Sequence, residues 1–125
     1  MRPIRLPNAQ ERLYALGRLK PGAMNRTEAA YDAFLAQLQL VGSIRWRMFE
    51  GIKLRLAPNT SLTVDFAVMR ADGILTMVDV KGAKHLFTDD ARAKTKIAAA
   101  MFPFVFKVVY PRPKKLGGGW IEEEI

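Results

Sequence analysis

The chain has no cysteine, which excludes disulfides and thiolate metal sites. It has a single histidine, His85, so one chain cannot build a multi-histidine centre. Any metal intrinsic to the fold must be held by carboxylates and carbonyl oxygens, a donor set that favours Mg²⁺, Mn²⁺ or Ca²⁺. No apolar run approaches the ~20 residues that a membrane-spanning helix needs. The first residues lack the pattern of a signal peptide. A cytoplasmic protein with no membrane partner is expected. Internal repeats are absent, and acidic residues are scarce, 12 against 20 basic.

What is present is a hydrophobic half. In 125 residues, 50% are hydrophobic, enough for one domain with a core and too much for a disordered chain. The net charge is +8, and it is unevenly spread. Residues 1–23 carry five basic side chains and one acidic, residues 24–80 six of each, and residues 81–115 nine basic and two acidic. The last ten residues add three glutamates. Basic segments thus flank a neutral middle, the footprint expected of a protein that meets a phosphate backbone. The plainer alternative is a solvated basic surface.

Taken in order, residues 1–24 read as a basic N-terminal arm with a short helix over Ala9–Leu16, and residues 25–125 as the folded domain. Asn25 followed by Glu28 has the spacing of a capping box. Apolar residues at 30, 31, 34, 35, 38 and 41 predict a helix ending at Gly42. Ile44–Glu50 and Ile52–Leu56 read as strands around a bulge at Gly51. Thr88 or Asp89 caps a second helix to about Phe102, with Ala93, Ile97, Ala100 and Met101 as its apolar side. Phe104–Tyr110 reads as a buried strand. Residues 111–119 look irregular, and the tail folds back through Trp120 and Ile121. The order predicts an α/β fold, a mixed sheet with helices against it.

The centre of the chain is a hairpin. Leu62–Met69 and Ile74–Lys81 are strand-like, and Asp72-Gly73 between them is a strong turn signal. Alternation puts Leu62, Val64, Phe66 and Val68 on one face and Asp65 on the other. Asp79 and Lys81 share a face of the second strand. Carboxylates amid apolar strands are costly to bury without partners. Asp65 and Asp79 on neighbouring strands can hold one hard cation, with the Val80 carbonyl as a further oxygen and Lys81 aimed at the same place. Such a site suits phosphodiester hydrolysis. Glu28 adds a carboxylate, enough to recruit a second metal, if its helix packs under this face; the alternative is a cap on a solvated turn. His85 is expected as an exposed loop histidine, and the tryptophans as core.

These residues resemble the PD-(D/E)xK nuclease superfamily. Val64-Asp65-Phe66 is similar to its first motif and Asp79-Val80-Lys81-Gly82 to its second, with Asn25 to Ala29 similar to the helix that carries its glutamate. Valine stands where the motif has proline, and the second acid is aspartate. The resemblance covers about residues 25–110 and is nearest to small phage-encoded members, some of which resolve Holliday junctions. It implies a restriction-endonuclease-like αβββαβ core and a Mg²⁺- or Mn²⁺-dependent DNA endonuclease of phage or prophage origin in a bacterial cytoplasm. The implied catalytic residues are Glu28, Asp65, Asp79 and Lys81. The implied metal ligands are Asp65, Asp79, Glu28 and the Val80 carbonyl. Arg92 and Lys96, one turn apart, are candidate DNA contacts, with Lys94, Lys84 and Arg26. DNA is the expected partner, and a homodimer follows if two strands are to be cut. Two alternatives stand beside it: a non-cleaving DNA-binding module with the same fold, and an RNA nuclease.

Overall fold

The computed structural model describes residues 23–125; the basic arm and the expected Ala9–Leu16 helix lie outside them. The elements are α1 (Arg26–Leu40), β1 (Ile44–Ala57), β2 (Thr60–Arg70), β3 (Leu75–Val80), α2 (Asp89–Met101), β4 (Val105–Pro111) and β5 (Trp120–Glu124). Five strands form one mixed sheet in the order β1-β2-β3-β4-β5. β1, β2 and β3 run as an antiparallel meander, β4 is parallel to β3, and β5 returns antiparallel to β4. A parallel neighbour needs a crossover, and α2 supplies it.

Local sequence accounts for the boundaries. Asn25 caps α1: its side chain accepts from the Glu28 N–H (2.8 Å), and Glu28 Oε1 accepts from the Asn25 N–H (2.9 Å). The expected capping box is therefore complete. At the β2–β3 turn, Gly73 has φ +87°, and Asp72 accepts from the Ile74 N–H at 3.1 Å. Thr88 caps α2 through the Ala91 N–H. The two stretches predicted around Gly51 are one strand, β1, with a register shift between Phe49 and Ile52. Glu50 takes φ +50° there, which marks the bulge.

The helices cover opposite faces. Under α1, Tyr31 and Leu35 pack on Phe66, Val68, Val78, Val80 and Val109. Tyr31 meets Phe66 and Trp120 edge-on, at 5.4 and 4.9 Å between centroids, which anchors the returning tail as expected. Under α2, Ala98 packs on Ala67, Met77 and Phe106.

Three expectations change. Of the α1 stripe, Tyr31 and Leu35 are buried and Phe34 and Leu38 pack beside them, while Ala30 at the edge of that face and Val41, past the last helical residue, are exposed. The apolar side assigned to α2 faces out: Ala93 and Ala100 are exposed, and Ile97 and Met101 are each 51% exposed. The buried line runs instead through Thr95 and Ala98. The sheet beneath already carries Met77 and Phe106, so small residues fit there, and Thr95 is satisfied by donating to the Ala91 carbonyl at 2.8 Å. Finally, Leu62 and Val64 do not share a cluster with Phe66 and Val68. They pack with Ala67, Met77 and Phe106. The extra residue in β1 tightens the local twist, and β2 leaves β3 beyond the Phe66↔Val78 pair, so the hairpin tip turns its apolar side toward α2.

Phe66 is fully buried, with Phe49 at 5.2 Å and Tyr31 at 5.4 Å. Phe66→Ala is expected to lower unfolding free energy by about 4 kcal/mol, read from the urea midpoint at unchanged slope.

Candidate active site

The β2–β3 ladder stops one residue short of Asp65. At the next position the Val80 N–H donates to Asp65 Oδ2 at 2.8 Å. A side chain thus replaces a rung of the sheet. This holds one carboxylate oxygen of Asp65 rigidly while β2 diverges. Asp79 lies in side-chain hydrogen-bonding contact with Asp65. Lys81, two residues further on the same face, places Nζ 3.2 Å from Asp79 Oδ1. The structure therefore brings Asp65, Asp79 and Lys81 together. Their side of the sheet opens into a cavity of about 250 Å³ shared with Leu62, Val64, Met77, Lys94 and Phe106.

Two carboxyls in contact cannot both ionise cheaply. Burial, then the Asp79 carboxyl, push the Asp65 acid up from 3.8 to about 8, against the opposing pull of the Val80 N–H. The Asp65 acid therefore keeps its proton at neutral pH, with the Asp79 carboxyl as its side-chain neighbour. Glu28 contributes to the same rise through its charge.

Glu28 is buried at 8% exposure on the first turn of α1, which abuts the end of β3. A Cβ added to Gly82 would stand 3.8 Å from Thr27 Oγ1. One Glu28 oxygen is committed to the cap. Glu28 also raises the pKa of Glu50, where burial is the larger cause. Glu50 was not nominated from the sequence. The signal was the bulge itself, since the residue before Gly51 is swung out of the strand pattern. Among the described residues, no three acidic or histidine side chains converge closely enough to cage a metal. The helix that carries Glu28 covers the other face of the sheet, so it does not pack under Asp65 and Asp79 as expected, and the arrangement offers two carboxylates side by side with a third at the sheet end.

The basic candidates separate. Lys94 lines the cavity and enters no ion pair among the described residues. Lys107 also lines it, paired with Glu122 at 2.7 Å; it too was missed, although it is the one charge in an otherwise apolar strand. Arg92 is bound bidentately by Glu123 and lies over the Phe87 ring, 4.8 Å from its centroid. That pair links α2 to β5 and engages the guanidinium expected to contact DNA. Lys84, Lys96 and Arg26 are exposed and do not line the cavity. His85 is exposed in a 3₁₀ turn.

No helix among the described residues is long and apolar enough to cross a membrane. Comparison of the chain with known families, curated proteins and solved structures gave no match.

The raised Asp65 acid fixes a sign. The folded state holds a proton that the unfolded state releases, so this contribution to stability is complete below 3.8 and is lost as pH rises toward about 8. Stability should fall across that window by up to about 1 kcal/mol per pH unit from this group. Asp65→Asn keeps an acceptor for Val80 and a donor for Asp79. It should remove that slope in urea titrations at stepped pH; parallel curves for both proteins would contradict the raised Asp65 acid.

Proposed function

We propose that this protein is a metal-dependent DNA endonuclease that hydrolyses phosphodiester bonds. The observation that carries the reading is the contact between Asp65 and Asp79 with Lys81 at 3.2 Å. The order of one helix, a three-stranded meander, a second helix and a parallel strand accords with a restriction-endonuclease-like αβββαβ core, to which β5 is an addition.

The donors fit a hard divalent cation. Asp65 and Asp79 are both oxygen ligands, and the neighbouring carboxyl that holds the Asp65 acid up is a charge a divalent cation would neutralise. Mg²⁺ or Mn²⁺ held there would polarise a phosphoryl oxygen and lower the pKa of a bound water. The chain's own groups do the rest. The Val80 N–H keeps Asp65 in a single orientation, so ordering that ligand adds little cost on binding. Lys81 is tied to Asp79 and remains partly exposed, with 29% of its side chain accessible. Its ammonium can therefore reach an entering phosphate and stabilise charge that grows on it. Lys94 stands across the cavity as a second cation for the substrate backbone. Glu28, one oxygen of which is used by its cap, contributes negative charge beside the pair. A single site cuts one strand, so the reading extends to a homodimer for duplex or branched DNA.

The test is cleavage of supercoiled plasmid and of four-way junctions with Mg²⁺. Wild type should cut in a metal-dependent way. Asp79→Ala and Lys81→Ala should each lose about 100-fold or more while melting as folded proteins. Equal activity in all three would remove the assignment.

A further inference from the structure

The cavity beside Asp65 and Asp79 is apolar on the side away from the carboxyls. Its floor is Met77 and Phe106, each 2% exposed, and its wall is Val64 and Leu62, brought there by the divergence of β2. A nuclease that only gripped a duplex backbone would need a charged groove at this place and no apolar recess. About 250 Å³ is below the ~300–1,000 Å³ of sites for drug-sized ligands, which leaves room for one planar heterocycle. Charge completes the match. Lys81, beside Asp79, and Lys94 both line the cavity, where they would meet the phosphates of one nucleotide. Leu62, partly exposed on the wall, offers an apolar contact that accepts any base without hydrogen-bond selection.

We propose that the cavity receives a single unpaired base, so that the enzyme acts on the phosphate beside a nucleotide already out of the stack. This rests on the nuclease reading and narrows its substrate to DNA with unpaired or splayed nucleotides. A base inside a duplex must first be unstacked and unpaired, at a cost of a few kcal/mol, and an unpaired one need not be.

Two measurements test it. In the first, a duplex with one unpaired nucleotide and its fully paired counterpart are cut with Mg²⁺. Wild type should prefer the former by about tenfold or more. Leu62→Trp, which fills the cavity from its wall, should bring the ratio to near one, and Leu62→Ala should keep it. In the second, a 2-aminopurine at the unpaired position is titrated with protein in Ca²⁺. Its fluorescence should change with wild type and Leu62→Ala but not with Leu62→Trp, with thermal melts confirming that both variants are folded. A ratio of one in wild type, or an unaltered 2-aminopurine response in Leu62→Trp, overturns the base pocket and leaves the nuclease standing. A 2-aminopurine response that behaves as expected, with no cutting of either duplex, supports the pocket and removes the nuclease.

Discussion

One hydrogen bond shapes the rest of the site: the Val80 N–H donating to the Asp65 carboxylate. In an uninterrupted sheet that N–H would meet a backbone carbonyl of β2. Here a side chain takes its place, and β2 is free to move off. The consequences follow in order. Asp65 is held by a partner that cannot rotate away. Asp79, at the next position of β3, comes into contact with it. The hairpin tip beyond Asp65 turns its Leu62–Val64 side to α2, and a cavity opens in the gap. The neighbouring N–H, that of Lys81, points the other way and donates to the Val109 carbonyl at 2.9 Å, so β3 stays fastened to β4 while it loosens from β2.

This arrangement is destabilising taken alone. A carboxyl raised to about 8 is a group that the fold would be more stable without. The surrounding structure offsets it with ordinary packing. Tyr31, Phe66 and Trp120 pack edge to face under α1, and such pairs add about 0.5–1.5 kcal/mol each beyond their buried area. The Arg92–Glu123 clamp joins residues 31 apart in sequence and ties α2 to the last strand. Carboxyls crowded in one place, with sound packing elsewhere, are the pattern of sites that bind something of opposite charge.

Features governed by neighbours in sequence were legible in it. The Asn25–Glu28 box, the Asp72-Gly73 turn, the Thr88 cap and the bulge at Gly51 all depend on contacts within a few residues. The trio of Asp65, Asp79 and Lys81 was legible for the same reason, since a hairpin fixes which strand positions face each other. What depended on distant elements was not. The outward apolar side of α2 could not be told from an inward one without knowing that Met77 and Phe106 fill the space beneath. Arg92 looked like the other basic residues of its helix until Glu123 was placed beside it. The face switch at Asp65 broke the alternation rule because the rung it relied on was missing. Glu50 and Lys107 were hidden likewise: one by the bulge, the other by the assumption that a buried strand is apolar throughout.

Topology acts together with the missing rung to set the position of the cavity. Between antiparallel neighbours a short turn closes the end of the sheet, as Asp72-Gly73 does between β2 and β3. Between parallel neighbours the chain must leave the sheet, cross it as a helix and return, so the carboxyl end of the first strand is left open beside the start of that helix. β3 ends at Val80 and α2 begins at Asp89. Asp79, Lys81, Lys94 and Thr95 therefore converge whatever else the sequence does. Crevices at the carboxyl ends of parallel strands are where open α/β sheets bind ligands, and here the opening is widened because β2 has also departed on the other side. The acids and the apolar recess share one place because one missing rung produces both.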